Sequence, residues 1–293
     1  MSINSSGIVF LDKPPHITSF STLNYLKRNL GVKKIGHCGT LDPFATGLLI
    51  AVSGYMTRLA FLFENLEKEY VADFCFGEET DTLDPEGKTI KNGRVPDLNE
   101  IESCIGSFLG EIDQKPPLYS AVKINGKRAS DRVRSGENPD LKSRKIFIRN
   151  IEILSWDSPY LKVRVKCSKG TYIRSLAGDM GAALFSCAYV TALRRTAVGP
   201  FGVEEAVLPE NFEKKHLLSP YDLLSRLNSV ENLQVNDSLI AYNISKGKKI
   251  SRELFQGKFE KQDILPVFDG SKKLLCVLEK CETGWKYKMV IPD

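Results

Sequence analysis

The chain is organised around one stretch, Gly36-His37-Cys38-Gly39-Thr40-Leu41-Asp42-Pro43-Phe44-Ala45-Thr46-Gly47-Leu48-Leu49. It sets a carboxylate, Asp42, and one of the chain's three histidines among small residues. Gly36 and Gly39 allow backbone angles that other residues resist. Pro43 fixes its own φ and disfavours helical backbone at the preceding aspartate. An apolar run from Leu48 to Val52 follows as an anchor, so we expect Asp42 to lie on a defined turn.

A carboxylate held in this way can serve as a nucleophile or as an acid–base group. The same position also suits an Asx turn or a helix cap, which are common roles for aspartate. Taken alone, the stretch favours the structural role of Asp42, and the rest of the chain is needed to decide.

The composition excludes several classes of protein. At 293 residues the chain exceeds a typical single domain, and its 42% of hydrophobic residues can form a sizeable core. No apolar run approaches the roughly 18 residues of a membrane span, and no secretion or import signal is evident. Seven cysteines without a C-x-x-C pair and three scattered histidines give no metal-ligand pattern. We expect a cytoplasmic protein with no membrane attachment and no metal.

The net charge of +5 is unevenly distributed along the chain. Residues 113–149 hold ten Lys or Arg and four Asp or Glu, a local net charge of +6 that leaves −1 for the remainder. This basic segment fits a polyanionic partner such as a nucleic acid. A solvated surface face accounts for the charge equally well.

Several stretches show the alternation of apolar residues that predicts β-strands. Residues 8–11 form a short buried run, and residues 161–167 alternate between apolar and basic side chains. Residues 68–77 alternate too, with one face formed by Tyr70, Ala72, Phe74 and Phe76. From about Val230, short apolar runs separated by turn residues indicate a small β-rich domain. We expect two domains, 1–229 and 230–293, in an α+β fold.

Other stretches show helical spacing. Thr18 or Ser19 is predicted to cap a helix that ends at Gly31, with an inward face of Phe20, Leu23, Leu26 and Leu30. A later helix is predicted to bury Leu176, Met180 and Leu184. The acidic loop 80–87 does not match EF-hand spacing, and we interpret it as a turn.

The pattern Gly-His-x-Gly-Thr-Leu-Asp-Pro-x-Ala-x-Gly-Leu-Leu resembles the catalytic motif of the TruB family, the tRNA pseudouridine-55 synthases, in its bacterial form. Further blocks resemble those of the family in the same order: Lys13–Ser19, Gln114–Lys123, Ser168–Leu176 and Leu193–Thr196. Two residues depart from the family pattern. His16 stands where a glycine is usual, and Ser130 stands where an aromatic residue is usual.

The resemblance implies a pseudouridine synthase fold, with a mixed, largely antiparallel sheet flanked by helices, followed by a PUA-like RNA-binding domain. It implies isomerisation of the T-loop uridine of tRNA to pseudouridine. The target base would be flipped out of the RNA, and neither metal nor organic cofactor would be needed. The expected partner is the tRNA T-stem-loop. We expect a monomer without a protein partner.

The resemblance also assigns roles to individual residues. Asp42 would be the nucleophile, Arg174 would pair with it and keep it charged, and Tyr70 would stack on the flipped uracil with its hydroxyl near the C5 proton. His37 would support the flipped conformation. Lys13 would contact RNA phosphate or support the first turn. Two residues would line the pocket, Tyr172 and Leu193, and three of the basic segment would meet phosphates, Lys123, Lys127 and Arg128.

Two other functions are compatible with parts of the sequence. A non-catalytic tRNA-binding or RNA-folding protein on the same scaffold would use the basic segment and the C-terminal domain, but it would have no need of Asp42, Tyr70 and Arg174 together. A glycoside hydrolase normally needs two cooperating carboxyl groups, and no second acid stands out beside Asp42.

Overall fold

The structure is a computed structural model that describes residues 6–227, 231–248, 259, 262–282 and 284–291. Its main feature is a nine-stranded sheet, in which seven strands form a continuous path. In order of pairing these are β1 (Ile8–Lys13), β3 (Thr46–Ser53), β12 (Ala188–Val198), β4 (Lys68–Phe76), β11 (Tyr160–Cys167), β10 (Arg144–Asp157) and β7 (Gly110–Gln114). Two shorter strands pair with β3 and β12, respectively β2 (Ile35–Cys38) and β13 (Phe201–Gly202).

Pairing in this sheet is antiparallel except between β3 and β12, which run parallel. The remaining described strands form three smaller sheets. One hairpin is β5 (Glu78–Thr80) with β6 (Thr89–Asn92), and another is β8 (Lys123–Ile124) with β9 (Lys127–Arg128). A C-terminal sheet comprises β14 (Leu233–Val235), β15 (Ile264–Asp269), β16 (Leu274–Cys281) and β17 (Gly284–Val290).

The helices lie around these sheets and are short. They are α1 (Ser19–Leu30), α2 (Ala60–Glu64), α3 (Leu98–Ile105), α4 (Ala129–Arg134), α5 (Ile173–Ala183), α6 (Pro220–Ser225) and α7 (Ser238–Ser245). The expected α+β class, with a mixed and largely antiparallel sheet, is therefore confirmed, as is a β-rich C-terminal part.

The predicted strands and helices are present with small shifts at their ends. The first helix has Thr18 as its N-cap, and Gly31 ends it in the left-handed conformation. Leu23, Leu26 and Leu30 are buried as expected, but the inward placement of Phe20 was wrong, because 58% of it is exposed. Ser19 and Thr22 occupy the buried face of the first turn instead.

Two of the four apolar clusters in the described residues bear directly on the site and on the C-terminal sheet. The first lies between the sheet and α5, where the inward face of β4 meets Leu176 and Met180. The second joins β1, β3 and α6 to the C-terminal sheet, through residues such as Leu223, Phe268 and Met289. Full burial of one such side chain stabilises the fold by about 1.5–3 kcal/mol. The first cluster fixes α5, which carries Arg174, against the strand that carries Tyr70.

Candidate active site

Asp42 lies in the loop between β2 and β3, and the backbone of this loop is tightly held. Gly39 has a φ of 87° and Gly47 has a φ of 103°, a region that favours glycine. A Cβ on Gly47 would lie 2.3 Å from the carbonyl oxygen of Arg195 on β12, so no larger residue fits. At the other end, the Leu41 N–H donates to Ser19 Oγ at 2.9 Å. The expected defined turn around Asp42 is present.

Lys13 supports the same loop through hydrogen bonds to its backbone. Its side chain is fully buried, and its ammonium donates to the carbonyls of Pro14, Pro43 and Ala45 at 3.0, 3.0 and 2.7 Å. Burial lowers the pKa of Lys13 to about 8, and the charge of Asp42 opposes that shift. All three ammonium protons are used on the backbone, so this arrangement corresponds to support of the turn and leaves no donor for an RNA phosphate.

Arg174 lies in the first turn of α5 and forms an ion pair with Asp42. Its Nε is 2.9 Å from Oδ2 of Asp42, and its Nη2 donates to Oδ1 at 3.1 Å. The arginine is 3% exposed, and Nη2 also donates to the Tyr119 carbonyl at 2.9 Å. The hydrogen bond from Nη2 and the close approach of Nε, which lacks hydrogen-bond geometry, together hold the carboxylate beside the guanidinium.

A second carboxylate, Asp84, completes the contacts of Arg174. Nη1 of Arg174 donates to Oδ2 of Asp84 at 3.0 Å and to the Thr82 carbonyl at 2.8 Å. The other oxygen of Asp84 accepts from the Thr82 hydroxyl at 2.6 Å and from the Glu86 N–H at 3.0 Å. Asp84 is buried and fully engaged, so it holds Arg174 in place and is not a free second acid.

A cavity of about 300 Å³ opens in front of Asp42. It is lined by most of the residues predicted to form the catalytic site: Asp42, Tyr70, Tyr172, Arg174 and Leu193. These residues come from a loop, two strands and the start of α5, separated by up to 151 positions in the chain. A carboxylate, an arginine and aromatic side chains in a small cavity can bind a planar base and attack it with a nucleophile.

His37 lies outside that cavity and lines a neighbouring groove that also reaches Asp42. The groove is bounded by the turn 81–88 and by Arg128 and Arg134 of the basic segment. Burial, and secondarily the charge of Arg195, lower the pKa of His37, so its ring is neutral near pH 7. Among the described residues its buried Nδ1 has no hydrogen-bond partner.

The electrostatics of the cavity oppose ionisation of its acids. Burial raises the pKa of Asp42, and Asp84 adds to that shift, whereas Arg174 and Lys13 act against it. Burial also raises the pKa of the Tyr70 phenol, and Arg195 acts against that shift. The cations around Asp42 therefore offset part of the penalty that burial places on its charged form.

The remaining predicted residues belong to the β8–β9 hairpin. Lys123 and Lys127 are exposed on the β8–β9 hairpin, and Arg128 lines the groove.

Tyr172 lies with its ring 4.5 Å from the guanidinium of Arg144, and its backbone exchanges two hydrogen bonds with the Gln114 side chain. His16, which replaces the family glycine, has a φ of 63°, which explains why glycine is usual there.

Sequence reasoning missed two residues of the site. Asp84 was assigned only to a turn, and the turn is present, but its side chain faces Arg174. Arg195 was quoted in a family block without a role, and it lines the cavity with 1% exposure. The alternation of β12 was a usable signal for Arg195, because a strand places Arg195 on the same face as Leu193.

Comparisons with known proteins identify the family of this chain. Residues 27–173 match the family model for TruB family pseudouridylate synthase (N terminal domain), and residues 174–230 match that for tRNA pseudouridylate synthase B C-terminal domain. The chain is 42% identical over 289 residues to the tRNA pseudouridine synthase B of Borreliella burgdorferi (strain ZS7), which covers 98% of this chain and 99% of that protein. It is 36% identical over 286 residues to that of Clostridium tetani (strain Massachusetts / E88), at 96% and 98% coverage. The chain belongs to the TruB family of pseudouridylate synthases, which confirms the resemblance seen in its motifs.

Solved structures agree on the fold. The structure titled "Crystal Structure of a Cbf5-Nop10-Gar1 Complex" contains a chain that is 25% identical, with a TM-score of 0.71 and coverage of 99% of this chain and 86% of that one. A chain in "Crystal structure of the archaeal box H/ACA sRNP Nop10-Cbf5 complex" is 23% identical, with a TM-score of 0.69 and coverage of 98% and 86%. None of the helices in the described part of the chain has the length and apolar character needed to cross a membrane.

Proposed function

We propose that this chain converts the uridine at position 55 in the T loop of tRNA to pseudouridine, with Asp42 as the nucleophile. Uridine isomerisation in tRNA is the reaction of its family, so the chain is an isomerase. The single observation that carries the assignment of residues is the cavity in which Arg174 holds Asp42 at 2.9 Å opposite Tyr70.

The reaction breaks the bond between N1 of uracil and C1′ of ribose, turns the base and rejoins it through C5. A carboxylate nucleophile can bring about these steps through a covalent intermediate, and no redox step is needed. Arg174 serves the nucleophile in two ways: its charge favours the ionised form of Asp42, and its contacts hold the carboxylate beside the guanidinium. Whether Asp42 attacks the ring or C1′, the same contacts apply.

The uridine of a folded T loop must leave the base stack to enter the cavity. Extrusion costs a few kcal/mol, which contacts inside the pocket offset. Tyr70, Tyr172 and Leu193 supply flat and apolar surface for the uracil, and His37, from the adjoining groove, supports the space that the base vacates. A neutral imidazole suits this role because it can stack on bases without a desolvated charge.

The surfaces around the cavity carry the tRNA. The exposed lysines of the β8–β9 hairpin and Arg128 meet phosphates of the T-stem-loop, which positions the RNA without selecting the base. Residues 1–229 form the catalytic domain, and residues 230–293 form a PUA-like domain that adds RNA contacts. The enzyme acts as a cytoplasmic monomer without an obligatory protein partner.

The test is incubation of the purified chain with unmodified tRNA transcript, followed by mapping of pseudouridine. The expected result is a single modified position, 55, and no product in a transcript with cytidine there. Asp42→Asn is the matched variant, since the amide keeps the shape and loses the nucleophile. It should form no product and bind tRNA with unchanged affinity. Full activity of this variant would refute the nucleophile, and modification at other positions only would refute the substrate site.

A further inference from the structure

Phe20 is an exposed aromatic residue in the first turn of α1, and it lines the groove beside the cavity. It is 58% exposed, whereas Leu23 and Leu26 of the same helix are buried. The Lys27 ammonium lies 5.1 Å from the centroid of its ring, and no other aromatic ring packs against it within the described residues. Single exposed apolar residues are common on protein surfaces, so the meaning of this ring depends on the groove that it lines.

The groove adjoins the catalytic cavity and is the larger of the two. Its volume is about 580 Å³, against about 300 Å³ for the cavity, and Leu41, Asp42 and Arg174 line both. When the target uracil lies in the cavity, the RNA strand that carries it must continue past Asp42. The groove is an open space at that point, and it is large enough to hold a further base of the same strand.

The lining of the groove combines positive charge with aromatic surface. Arg128 and Arg134 of the basic segment contribute the charge. The lining includes three aromatic residues, His37, Tyr119 and Phe20, and Phe20 is the most exposed of them. Proteins that bind single-stranded nucleic acid use the same combination, because cations follow the phosphates while aromatic rings stack on the bases. The groove therefore has the chemistry to bind a nucleotide whose base is unstacked from the RNA.

We propose that Phe20 stacks on one base of the T loop other than the target uridine; the inference rests on the proposed function. Every base has a π-face, so this contact accepts any base at the stacked position. Ser130 of α4 lines the same groove and stands where an aromatic residue is usual, so α1 supplies a ring that α4 lacks in this chain. The stacking energy offsets part of the cost of extruding the target uridine.

The experiment measures the affinity of the purified chain for unmodified tRNA, intact or assembled with one abasic nucleotide at each T-loop position other than the target in turn. Phe20→Leu keeps an apolar side chain and removes the ring. It should weaken binding of intact tRNA by about 5- to 100-fold, the usual range for loss of one stacked base. Phe20→Trp keeps a ring and should retain most of the affinity. Tyr25→Leu removes a ring of the same helix that does not line the groove, and it should leave the affinity unchanged.

One abasic position should couple to Phe20. At that position, loss of the base and loss of the ring together should weaken binding no more than either change alone, whereas at the other positions the two effects should multiply. Multiplication at every position would overturn the proposal, because the ring would then contact no base, and so would an unchanged affinity of Phe20→Leu for intact tRNA. A wild-type chain that binds tRNA but forms no pseudouridine would instead refute the proposed function, and the binding measurements would still test the stack.

Discussion

The Asp84 carboxylate lies 3.0 Å from Nη1 of Arg174, a different nitrogen from the two that contact Asp42. One guanidinium is thus shared between a carboxylate that faces the cavity and one that is 4% exposed. The shared contact gives Arg174 a fixed position even when Asp42 is consumed in a covalent bond during turnover.

Asp84→Ala should destabilise the protein by about 3–5 kcal/mol, because Arg174 would lose a buried partner. Asp84→Asn keeps the shape and should fold, with a single-turnover rate lowered about 10- to 100-fold by misplacement of Arg174. Denaturant unfolding and rates on tRNA transcript measure both. Asp81→Ala in the same turn is the control, with an expected loss under about 1 kcal/mol. Equal losses at both positions would mean that the turn, and not the contact with Arg174, matters.

Asp42→Asn should be more stable than the wild type at neutral pH. The pKa of Asp42 is raised in the folded state, chiefly by burial, so the folded chain binds this proton more tightly than the unfolded chain does. The free energy of unfolding therefore falls as the pH rises from the ordinary carboxyl pKa through the raised value, and the penalty persists at neutral pH. Asparagine lacks this penalty, and Arg174 retains Asp84. Thermal unfolding of both proteins between pH 4 and about pH 7 should show a difference that shrinks towards acid.

Lys13→Met should destabilise the loop that bears Asp42 and leave the affinity for tRNA unchanged. Three carbonyls would lose their donor, and each unsatisfied buried group costs about 1–3 kcal/mol. We expect a clear loss of stability and a lower single-turnover rate, with unchanged salt dependence of tRNA binding. Lys34→Ala, at an exposed position, is the control and should change none of these. A lower salt slope for Lys13→Met would show that the lysine reaches a phosphate after all.

The pair Lys123→Ala and Lys127→Ala should weaken tRNA binding and reduce the slope of log K against log salt by about 0.9 for each lost phosphate contact. The single-turnover rate at saturating enzyme should hardly change, because the cavity is built from other segments. Lys214→Ala with Lys215→Ala removes the same charge from another exposed site and serves as the control. An unchanged slope would contradict phosphate contacts by the hairpin. A collapse of the rate at saturation would mean that the hairpin helps to assemble the site.

Local patterns in the sequence predicted the strands and helices because each pattern reports on a single element. The period-two alternation of β4 and the caps of α1 are properties of neighbouring residues, and both predictions were confirmed. Phe20 was placed wrongly because it has helical spacing from Leu23 but lies at the edge of the buried face.

Contacts across the chain were harder to predict. Asp84 and Arg174 are 90 positions apart, and only the packing of the turn 80–87 against α5 joins them. The family motifs indicated Arg174 and Asp42, but none of them indicated that Asp84 contacts the same guanidinium. The role of Lys13 was undecided for the same reason, since its burial depends on a loop 30 positions away.

The close approach of Gly47 to Arg195 constrains the spacing between β3 and β12. Asp42 lies in the loop that leads into β3, and Leu193, which lines the cavity, lies on β12, so the pairing of these two parallel strands helps to set the distance between the carboxylate and that wall of the cavity. The two strands approach closely at Gly47, because a single methyl group there would lie 2.3 Å from the carbonyl oxygen of Arg195. A larger residue at Gly47 would therefore push β3 away from β12 and move the loop that bears Asp42 relative to the cavity wall.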